Sequence, residues 1–315
     1  MDTNNETIAN ILIKSVKDGS VEKVKALLTV GANINIYDCD GEPLLFDACK
    51  NLAMLDLFLS RSDTNVNIRH GEVNWTALIY SCISGLAEAV RRLVRFPGIY
   101  LNSQDSSGCT AAGNAVDMKD LACVKILSTV AGVDWNIKSE EGISPVMKAV
   151  LLGQYHILQI LLNIPSIDVT GTDFIGRTIA QMAVEADGYG SLECLELLSR
   201  DSRVNWNTED ANGDSPLMYT FKNKKSDMFK ILMSVPSVDK SLFNQDPLII
   251  SQVSLPQCPV CLETFPRIGQ VHQCSSGHFV CGTCRPRCQN CPTCRGQIIG
   301  RCNYFEQFLQ SLNVS

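Results

Sequence analysis

The sequence predicts a mainly α-helical protein in which a long solenoid of helical repeats is followed by a small zinc-binding domain. Three observations indicate this fold class. A motif recurs every 33 to 37 residues, nine of the fifteen cysteines lie between positions 258 and 302, and the formal charge changes sign near residue 250. We expect a repeat domain over residues 1–240, a linker over 241–256, a zinc-binding domain over 257–300 and an amphipathic helix over 301–315.

The repeats are visible in six similar segments, among them GEPLLFDA, GISPVMKA and GDSPLMYT. Their first residues are Gly41, Asn74, Gly108, Gly142, Gly176 and Gly213, at spacings of 33, 34, 34, 34 and 37. Each segment continues into a helical stretch that ends in paired apolar residues, then a turn and a strand-like finger such as VDWNIKS. Such a period is typical of a solenoid, and we expect about six to seven repeats with atypical first and last caps.

One position in every finger carries an apolar residue that is followed by Asn or Thr. These residues are Ile34, Val66, Leu101, Trp135, Val169 and Trp206. Because the two tryptophans share a column with aliphatic residues, we predict that both pack in the core.

The period and the segments resemble the ankyrin repeat over about residues 6–240. The family's TPLH signature survives only in part, as TAL at Thr76, SPV at Ser144 and SPL at Ser215. Its histidine is replaced by Phe46, Ile79, Gly113, Met147, Gln181 and Met218. The resemblance implies a short and a longer helix per repeat, and a concave surface of finger tips and inner helices that binds a protein partner.

The positions one residue past the missing histidine would line that surface. They are Asp47, Tyr80, Asn114, Lys148, Met182 and Tyr219. Tyr80, Lys148 and Tyr219, together with Trp75 beside a finger tip, are the candidate substrate-binding residues. Simple exposure to solvent is the competing interpretation of each.

Composition excludes several classes of protein. The N-terminus MDTNNETIANILIK lacks the apolar core of a signal peptide, so we expect a reducing compartment and a cytoplasmic location, with the nucleus as the alternative. The most apolar stretch, residues 149–164, is too short to cross a bilayer, so we expect no membrane span. Residues 251–315 carry five arginines and two glutamates, a net charge of +3. Because the whole chain has a net charge of −6, residues 1–250 carry −9. An acidic body of this kind repels nucleic acid.

The C-terminal part contains metal-ligand spacing of high specificity. Two-residue or three-residue gaps separate the members of four Cys/His pairs, and the eight residues are Cys258, Cys261, Cys274, His278, Cys281, Cys284, Cys291 and Cys294. Eight ligands supply two tetrahedral zinc sites, because each ion takes four. Sites with four protein ligands leave no position for an activated water, so we expect two structural Zn²⁺ ions.

Within residues 274–296 one cysteine is surplus, and the spacing alone does not identify it. Two residues also separate Cys288 from Cys291, and that pairing would leave Cys294 without a partner. The segments CPVC, QCSSGHFVC and CPTCRG resemble the RING finger of the seven-in-absentia type, over about residues 257–300. This resemblance makes Cys288 the non-ligand, at a position where RING domains often carry a larger apolar side chain.

The resemblance also implies a crossed arrangement of the ligands. One zinc ion would be held by Cys258, Cys261, Cys281 and Cys284, and the other by Cys274, His278, Cys291 and Cys294. Because about forty residues bury little apolar surface, metal binding worth roughly 10–16 kcal/mol per site must stabilise the domain.

The function implied by the resemblance is that of a RING-type E3 ubiquitin ligase. Such a domain positions a ubiquitin-loaded conjugating enzyme and forms no covalent intermediate with ubiquitin. By position, Val260 and Pro292 would contact the conjugating enzyme, and Arg295 would bridge it to the donor ubiquitin. The ankyrin repeats would choose an unknown protein substrate, and the C-terminal segment could bind a second copy of the chain.

Two other function classes compete with the ligase. One is a non-catalytic ankyrin adaptor whose RING is a structural or dimerising module, which the degenerate repeats and Cys288 favour. The other is a nucleic-acid-binding zinc finger, which would need a basic face that the acidic composition does not provide.

Overall fold

The computed structural model describes residues 2–210, 212–241, 260–261, 270–274, 279–293, 295 and 297–301. The chain divides into two compact units, Met1–Pro236 and Ser237–Ser315. The boundary lies four residues before the end of the predicted repeat domain. Among the described helices, none combines the length and the apolar character that a membrane span requires. The predicted fold class, a helical repeat domain followed by a small cysteine-rich domain, is confirmed.

The first unit contains seven helix pairs within its described residues. Their bounds are α1 Asp2–Lys17, α2 Val21–Thr29, α3 Leu44–Cys49, α4 Leu52–Leu59, α5 Ala77–Ile83, α6 Ala87–Leu93, α7 Ala111–Asp117, α8 Leu121–Leu127, α9 Pro145–Leu151, α10 Tyr155–Leu162, α11 Ile179–Glu185, α12 Ser191–Ser199, α13 Pro216–Lys222 and α14 Ser226–Ser234. The odd-numbered helices pack on one another in an inner row, and the even-numbered helices form an outer row. Each repeat therefore buries its apolar face against its neighbours, which is the geometry of a solenoid.

The core of this unit runs between the two rows. Trp135 is 2% exposed and Trp206 is 1% exposed, so the prediction that both pack in the core is confirmed. Burying a large apolar side chain stabilises a fold by about 1.5–3 kcal/mol. The column of finger residues therefore holds each finger against the helices of its own stack.

Most inner helices begin at a hydroxyl side chain. Thr76, Thr110, Thr178 and Ser215 each accept a hydrogen bond from the backbone N–H three residues later. This is the N-cap interaction, worth about 1 kcal/mol. Five of the six segments keep Thr or Ser as the first residue of the TPLH signature, and in four of them it caps the helix; Ser144 makes no side-chain cap bond.

The repeat starts are explained by the turn at each finger tip. All six starting residues have positive φ angles, and they are Gly41, Asn74, Gly108, Gly142, Gly176 and Gly213. Glycine adopts this conformation without strain, and Asn tolerates it better than most residues. The fingers are closed by isolated antiparallel bridges, such as Thr172 with Thr178, so the strand-like fingers are turns rather than strands.

The Asn residues that follow the finger column join consecutive repeats. Asn136 shows the pattern: its Nδ2 donates to the carbonyl of Ser166 at 2.7 Å, and its Oδ1 accepts from the N–H of Asp168 at 2.9 Å. Equivalent bonds cross three further junctions, at Asn35, Asn67 and Asn102. At the next junction Thr170 bonds to Asp168 of its own loop, and Arg203 instead donates to a carbonyl of the preceding repeat.

The second unit contains a three-stranded antiparallel sheet in the order β2-β1-β3. The strands are β1 Val271–Cys274, β2 Phe279–Cys281 and β3 Ile298–Arg301. Val271, Val280 and Ile298 are buried at 0%, 1% and 7% exposure. The first residue of the predicted C-terminal helix, Arg301, therefore belongs to a strand. Arg301 ends that strand, and residues 302–315 of the predicted C-terminal helix lie outside the described residues, as does the linker from 242 onward.

Candidate functional site

The cysteine cluster is built on the end of strand β2. Cys281 is the last residue of that strand, and the following turn brings Cys284 back, with its N–H donating to the Cys281 carbonyl at 3.1 Å. Gly282 inside the turn has no room for a side chain, because a Cβ there would lie 2.9 Å from the Gln270 carbonyl oxygen. The turn therefore directs both sulfurs to one side.

A third sulfur comes from twenty residues earlier in the chain. The Sγ atoms of Cys261, Cys281 and Cys284 lie within 4.8 Å of one another, and those of Cys261 and Cys281 are 4.0 Å apart. With Zn–S bonds of about 2.3 Å, the sulfurs of a tetrahedral site are separated by about 3.8 Å. Three thiol groups at this spacing fit a zinc ion. Cys281 and Cys284 are buried, at 4% and 3% exposure.

This grouping distinguishes two ways of sharing the eight ligands. Sequential sharing would place Cys261 with the residues before β2, and Cys284 with those after it. The structure instead puts Cys261 beside Cys284, as the crossed arrangement requires of its first site. Cys258, the fourth ligand expected there, lies outside the described residues.

The second predicted site is described only in part. Cys291 is 1% exposed, and its carbonyl accepts the N–H of Arg295 at 2.8 Å, a bond that spans one residue more than the bond between Cys281 and Cys284. The backbone of Cys274 ends strand β1, but its side chain, His278 and Cys294 are outside the described part. His272, which could compete for the metal, is half-buried in the middle of β1 and is not part of the cluster among the described residues.

The surplus cysteine lies beyond a short helical turn. Residues Arg285–Arg287 form a 3-10 turn that starts after Cys284, and Cys288 follows it. Cys288 is half-buried and lies outside the three-sulfur cluster. The Arg285 guanidinium donates to its carbonyl at 2.6 Å, which fixes the end of the turn.

The three residues predicted to engage the ubiquitin machinery are on the surface. Val260 is 38% exposed, and Pro292 and Arg295 are exposed as well. Arg295 has a φ angle of 60°, a left-handed conformation that costs a non-glycine residue roughly 1–2 kcal/mol.

Four thiols of the repeats have raised pKa values. Burial raises the pKa of Cys49 and of Cys194 to about 12, and that of Cys109 to about 11. A hydrogen bond with Cys123, followed by burial, raises the pKa of Cys82 as well. These thiols stay protonated near neutral pH, so they are poor nucleophiles.

The four candidate substrate-binding residues lie half-buried on the repeats, and each has neighbours. Tyr80 stacks on Phe46 with ring centres 4.6 Å apart. Lys148 forms an ion pair with Asp117 at 3.0 Å. The remaining two are contacted by other repeat residues, Trp75 by the His70 ring and Tyr219 by the Lys225 ammonium.

Two of the six positions predicted to line the concave surface are buried instead. Asn114 is 8% exposed and donates to Asp105 at 2.8 Å, and Met182 is 0% exposed. The prediction was wrong there because Asn114 is held inward by hydrogen bonds to Asp105 and to the Thr110 carbonyl, and Met182 belongs to the core. A different pair, Phe174 and Ile175, is 74% and 76% exposed at a finger tip. Its signal in the sequence was the apolar dipeptide in DFIG, where other repeats have polar tips.

Comparison with known proteins supports both halves of the chain. A family model described as the RING finger of the E3 ubiquitin-protein ligases sina/sinah matches residues 258–294, and the ankyrin-repeat model matches residues 51–139 and 114–206. The ankyrin repeat domain of Bcl-3 superposes with a TM-score of 0.62 at 21% identity, over 70% of this chain and 96% of that domain. An ankyrin repeat domain from Acinetobacter baumannii gives a TM-score of 0.51 at 16% identity, over 71% of this chain and 96% of the other. At these identities the likeness shows the fold alone.

The curated relatives are ubiquitin ligases. An E3 ubiquitin-protein ligase sina of Schistosoma mansoni is 26% identical over 136 residues, which is 41% of this chain and 35% of that protein. The E3 ubiquitin-protein ligase siah-1 of Caenorhabditis briggsae is 54% identical over 44 residues, 14% of this chain and 10% of its own length. The chain therefore spans about a third or less of these relatives.

Proposed function

Because the chain carries ankyrin repeats and, at residues 258–294, a RING finger of the sina type, we propose that it is a RING-type E3 ubiquitin ligase. The ligase holds a ubiquitin-loaded conjugating enzyme against a protein substrate that the ankyrin repeats choose. The observation that carries the proposal is the meeting of Cys261 with Cys281 and Cys284 across twenty residues. That crossing is what locks two loops of a RING into one binding surface.

Two zinc ions are part of the proposal. One is held by Cys258, Cys261, Cys281 and Cys284, and the other by Cys274, His278, Cys291 and Cys294. Zinc bound by four protein ligands supplies structural stability rather than an activated water. The ligands order the two surface loops, one with Val260 and the other with Pro292 and Arg295.

The chemistry falls to positioned side chains. Val260 and Pro292 offer exposed apolar contact to the conjugating enzyme. Arg295 has a planar guanidinium that donates to two carbonyl groups at once, so it can hold the conjugating enzyme and its ubiquitin in one orientation. Restricting the thioester to a reactive orientation speeds attack by a substrate lysine. The protonated thiols of the repeats fit a ligase that forms no covalent ubiquitin intermediate.

The test is discharge of ubiquitin from a panel of loaded conjugating enzymes to free lysine. The parent chain should accelerate discharge from at least one of them. Arg295→Ala should slow it about tenfold or more, with docking of the enzyme nearly unchanged, whereas Val260→Ala should weaken docking itself. Arg287→Ala, another exposed arginine of the same unit, is the matched control and should discharge like the parent.

The adaptor is the second candidate function, and Cys288 favours it. A half-buried cysteine offers less apolar area than the larger residue that often stands there, which reduces contact with a conjugating enzyme. A folded, zinc-loaded parent that accelerates discharge from none of the enzymes would make the adaptor the better interpretation. A cytoplasmic location belongs to the same proposal, and imaging of the tagged chain tests it.

A further inference from the structure

The finger tip of the fifth repeat segment differs from its neighbours in chemistry. Phe174 and Ile175 stand at this tip with about three quarters of their side-chain surface exposed. The preceding tip carries Glu140 and Glu141, both exposed. We propose that these four residues form a docking site, called the tip site, for a basic polypeptide segment with an apolar anchor residue. The proposal rests on the proposed function, because it names the substrate class that the repeats select.

The apolar pair is held in place rather than loosely displayed. Asp173 is 6% exposed, and its Oδ1 accepts the N–H groups of Ile175 at 3.1 Å and Arg177 at 2.8 Å. The Phe174 ring lies over Gly142, where an added Cβ would come within 2.8 Å of the ring. A surface that is already ordered loses less conformational entropy when a partner binds, so this pair suits a binding anchor.

The tip site belongs to a continuous edge. The N–H of Phe174 donates to the carbonyl of Glu141 at 3.3 Å, and the N–H of Glu140 donates to the carbonyl of Ser107 at 2.9 Å. These backbone bonds tie one tip to the next, so the carboxylates and the apolar pair keep a fixed order along the edge. A partner segment that lies along it meets acidic groups on one side of the anchor position.

The charge of this edge selects the partner. Neither Glu140 nor Glu141 forms an ion pair with any residue that the structure describes. Two basic residues of the adjoining fingers are engaged elsewhere: Lys138 donates to the Thr172 carbonyl at 2.6 Å, and Arg177 is paired with Asp173 at 2.8 Å. The two carboxylates thus attract cations, in a part of the chain that is itself acidic. An acidic or uncharged apolar segment would lack this attraction.

Binding of two designed peptides to the full chain tests the proposal. One fluorescein-labelled twelve-residue probe has Lys residues flanking a central Leu-Phe pair, and the second has Glu in place of every Lys. Fluorescence anisotropy should show that the parent binds the basic probe and prefers it over the acidic probe. The double variant Phe174→Ser with Ile175→Ser should bind the basic probe about tenfold more weakly or worse, and so should Glu140→Lys with Glu141→Lys.

Two matched variants control for general surface effects. Tyr189→Ser removes an aromatic ring that is 89% exposed in the loop before α12, and Glu22→Lys with Glu193→Lys reverses two exposed charges on outer helices. Both should bind the basic probe like the parent. The proposal is overturned if the parent does not bind the basic probe, if the acidic probe binds equally well, or if the control variants lose as much affinity as the tip variants.

The tip site and the ligase activity fail separately. Discharge of ubiquitin to free lysine needs no substrate, so the tip variants should discharge like the parent. A parent that binds the basic probe through the tip site and discharges no ubiquitin would retain the docking site and refute the ligase. Normal discharge of ubiquitin, with probe binding that does not depend on Phe174, would support the ligase and refute the tip site.

Discussion

Pairs of cysteine substitutions should reveal which residues share a zinc ion. In the crossed arrangement Cys261 and Cys284 belong to the same site, so the double variant Cys261→Ser with Cys284→Ser should lose no more zinc than either single variant. Cys284 and Cys291 belong to different sites, so their double variant should lose both ions. Sequential sharing of the ligands predicts the opposite for each pair.

The expected size of the effect follows from the geometry. The Cys261 and Cys281 sulfurs are 4.0 Å apart, close to the roughly 3.8 Å edge of a zinc–sulfur tetrahedron. A serine hydroxyl binds zinc far more weakly than a thiolate, so losing one ligand removes most of the roughly 10–16 kcal/mol of apparent binding free energy at that site. The zinc content should therefore fall from two ions per chain to one for each single variant.

Zinc is measured by release into a chromogenic chelator after denaturation, alongside circular dichroism of the intact variant. Cys288→Ser is the matched control, because it lies at the other end of the same 3-10 turn as Cys284 and should retain two ions. A Cys261/Cys284 double variant that loses both ions, beside single variants that keep one, would refute the crossed arrangement. If a single variant already loses both, substitution of cobalt for zinc separates the sites, because the spectrum of a four-thiolate site differs from that of a site with histidine.

Three further measurements address other parts of the chain. Asn136→Ala removes two hydrogen bonds between repeats and should lower the free energy of unfolding by about 1–2 kcal/mol in a denaturant titration, whereas Thr170→Ala, at the junction without such a bridge, should cost less. Chelation of zinc should abolish the structure of the second unit but leave the helical circular dichroism of the repeats, since the described α-helices all lie before residue 237. The sequence has no lysine after Lys240, so mass spectrometry of a self-modification reaction should map every ubiquitin-modified lysine to residues 1–240, and modified peptides from elsewhere would indicate another acceptor.

The fold was predictable because its determinants are local and repeat. Glycine or Asn at each finger tip marks a positive φ angle, and apolar pairs every 34 residues or so mark the outer helices. The lost histidine of the signature did not obscure the period. At one such position Gln181 accepts the N–H of Thr178 at 2.8 Å and donates to the Thr208 carbonyl at 3.2 Å, so it links its helix cap to the next finger.

The binding surface was less predictable because exposure depends on neighbouring repeats. Asn114 and Met182 occupy the same repeat position as Tyr80, yet they are buried and Tyr80 is half-exposed. Asn114 is held inward by hydrogen bonds to Asp105 and to the Thr110 carbonyl, whereas Tyr80 stacks on the Phe46 ring of the preceding repeat. The tip pair Phe174 and Ile175 was overlooked for a related reason, since an apolar dipeptide in a sequence gives no sign of whether it is covered.

Pairing of ligands is a property of three dimensions that spacing does not reveal. Two residues separate Cys288 from Cys291, as they separate Cys281 from Cys284, so spacing alone allows either pair to bind one zinc ion. The structure bears on the first site: the Sγ atoms of Cys261, Cys281 and Cys284 lie within 4.8 Å of one another, and Cys288, which follows the 3-10 turn Arg285–Arg287, lies outside that cluster. We therefore expect that Cys288 does not replace a ligand of the site that contains Cys284. A Cys288→Ser variant that loses zinc would have to lose it from the other site.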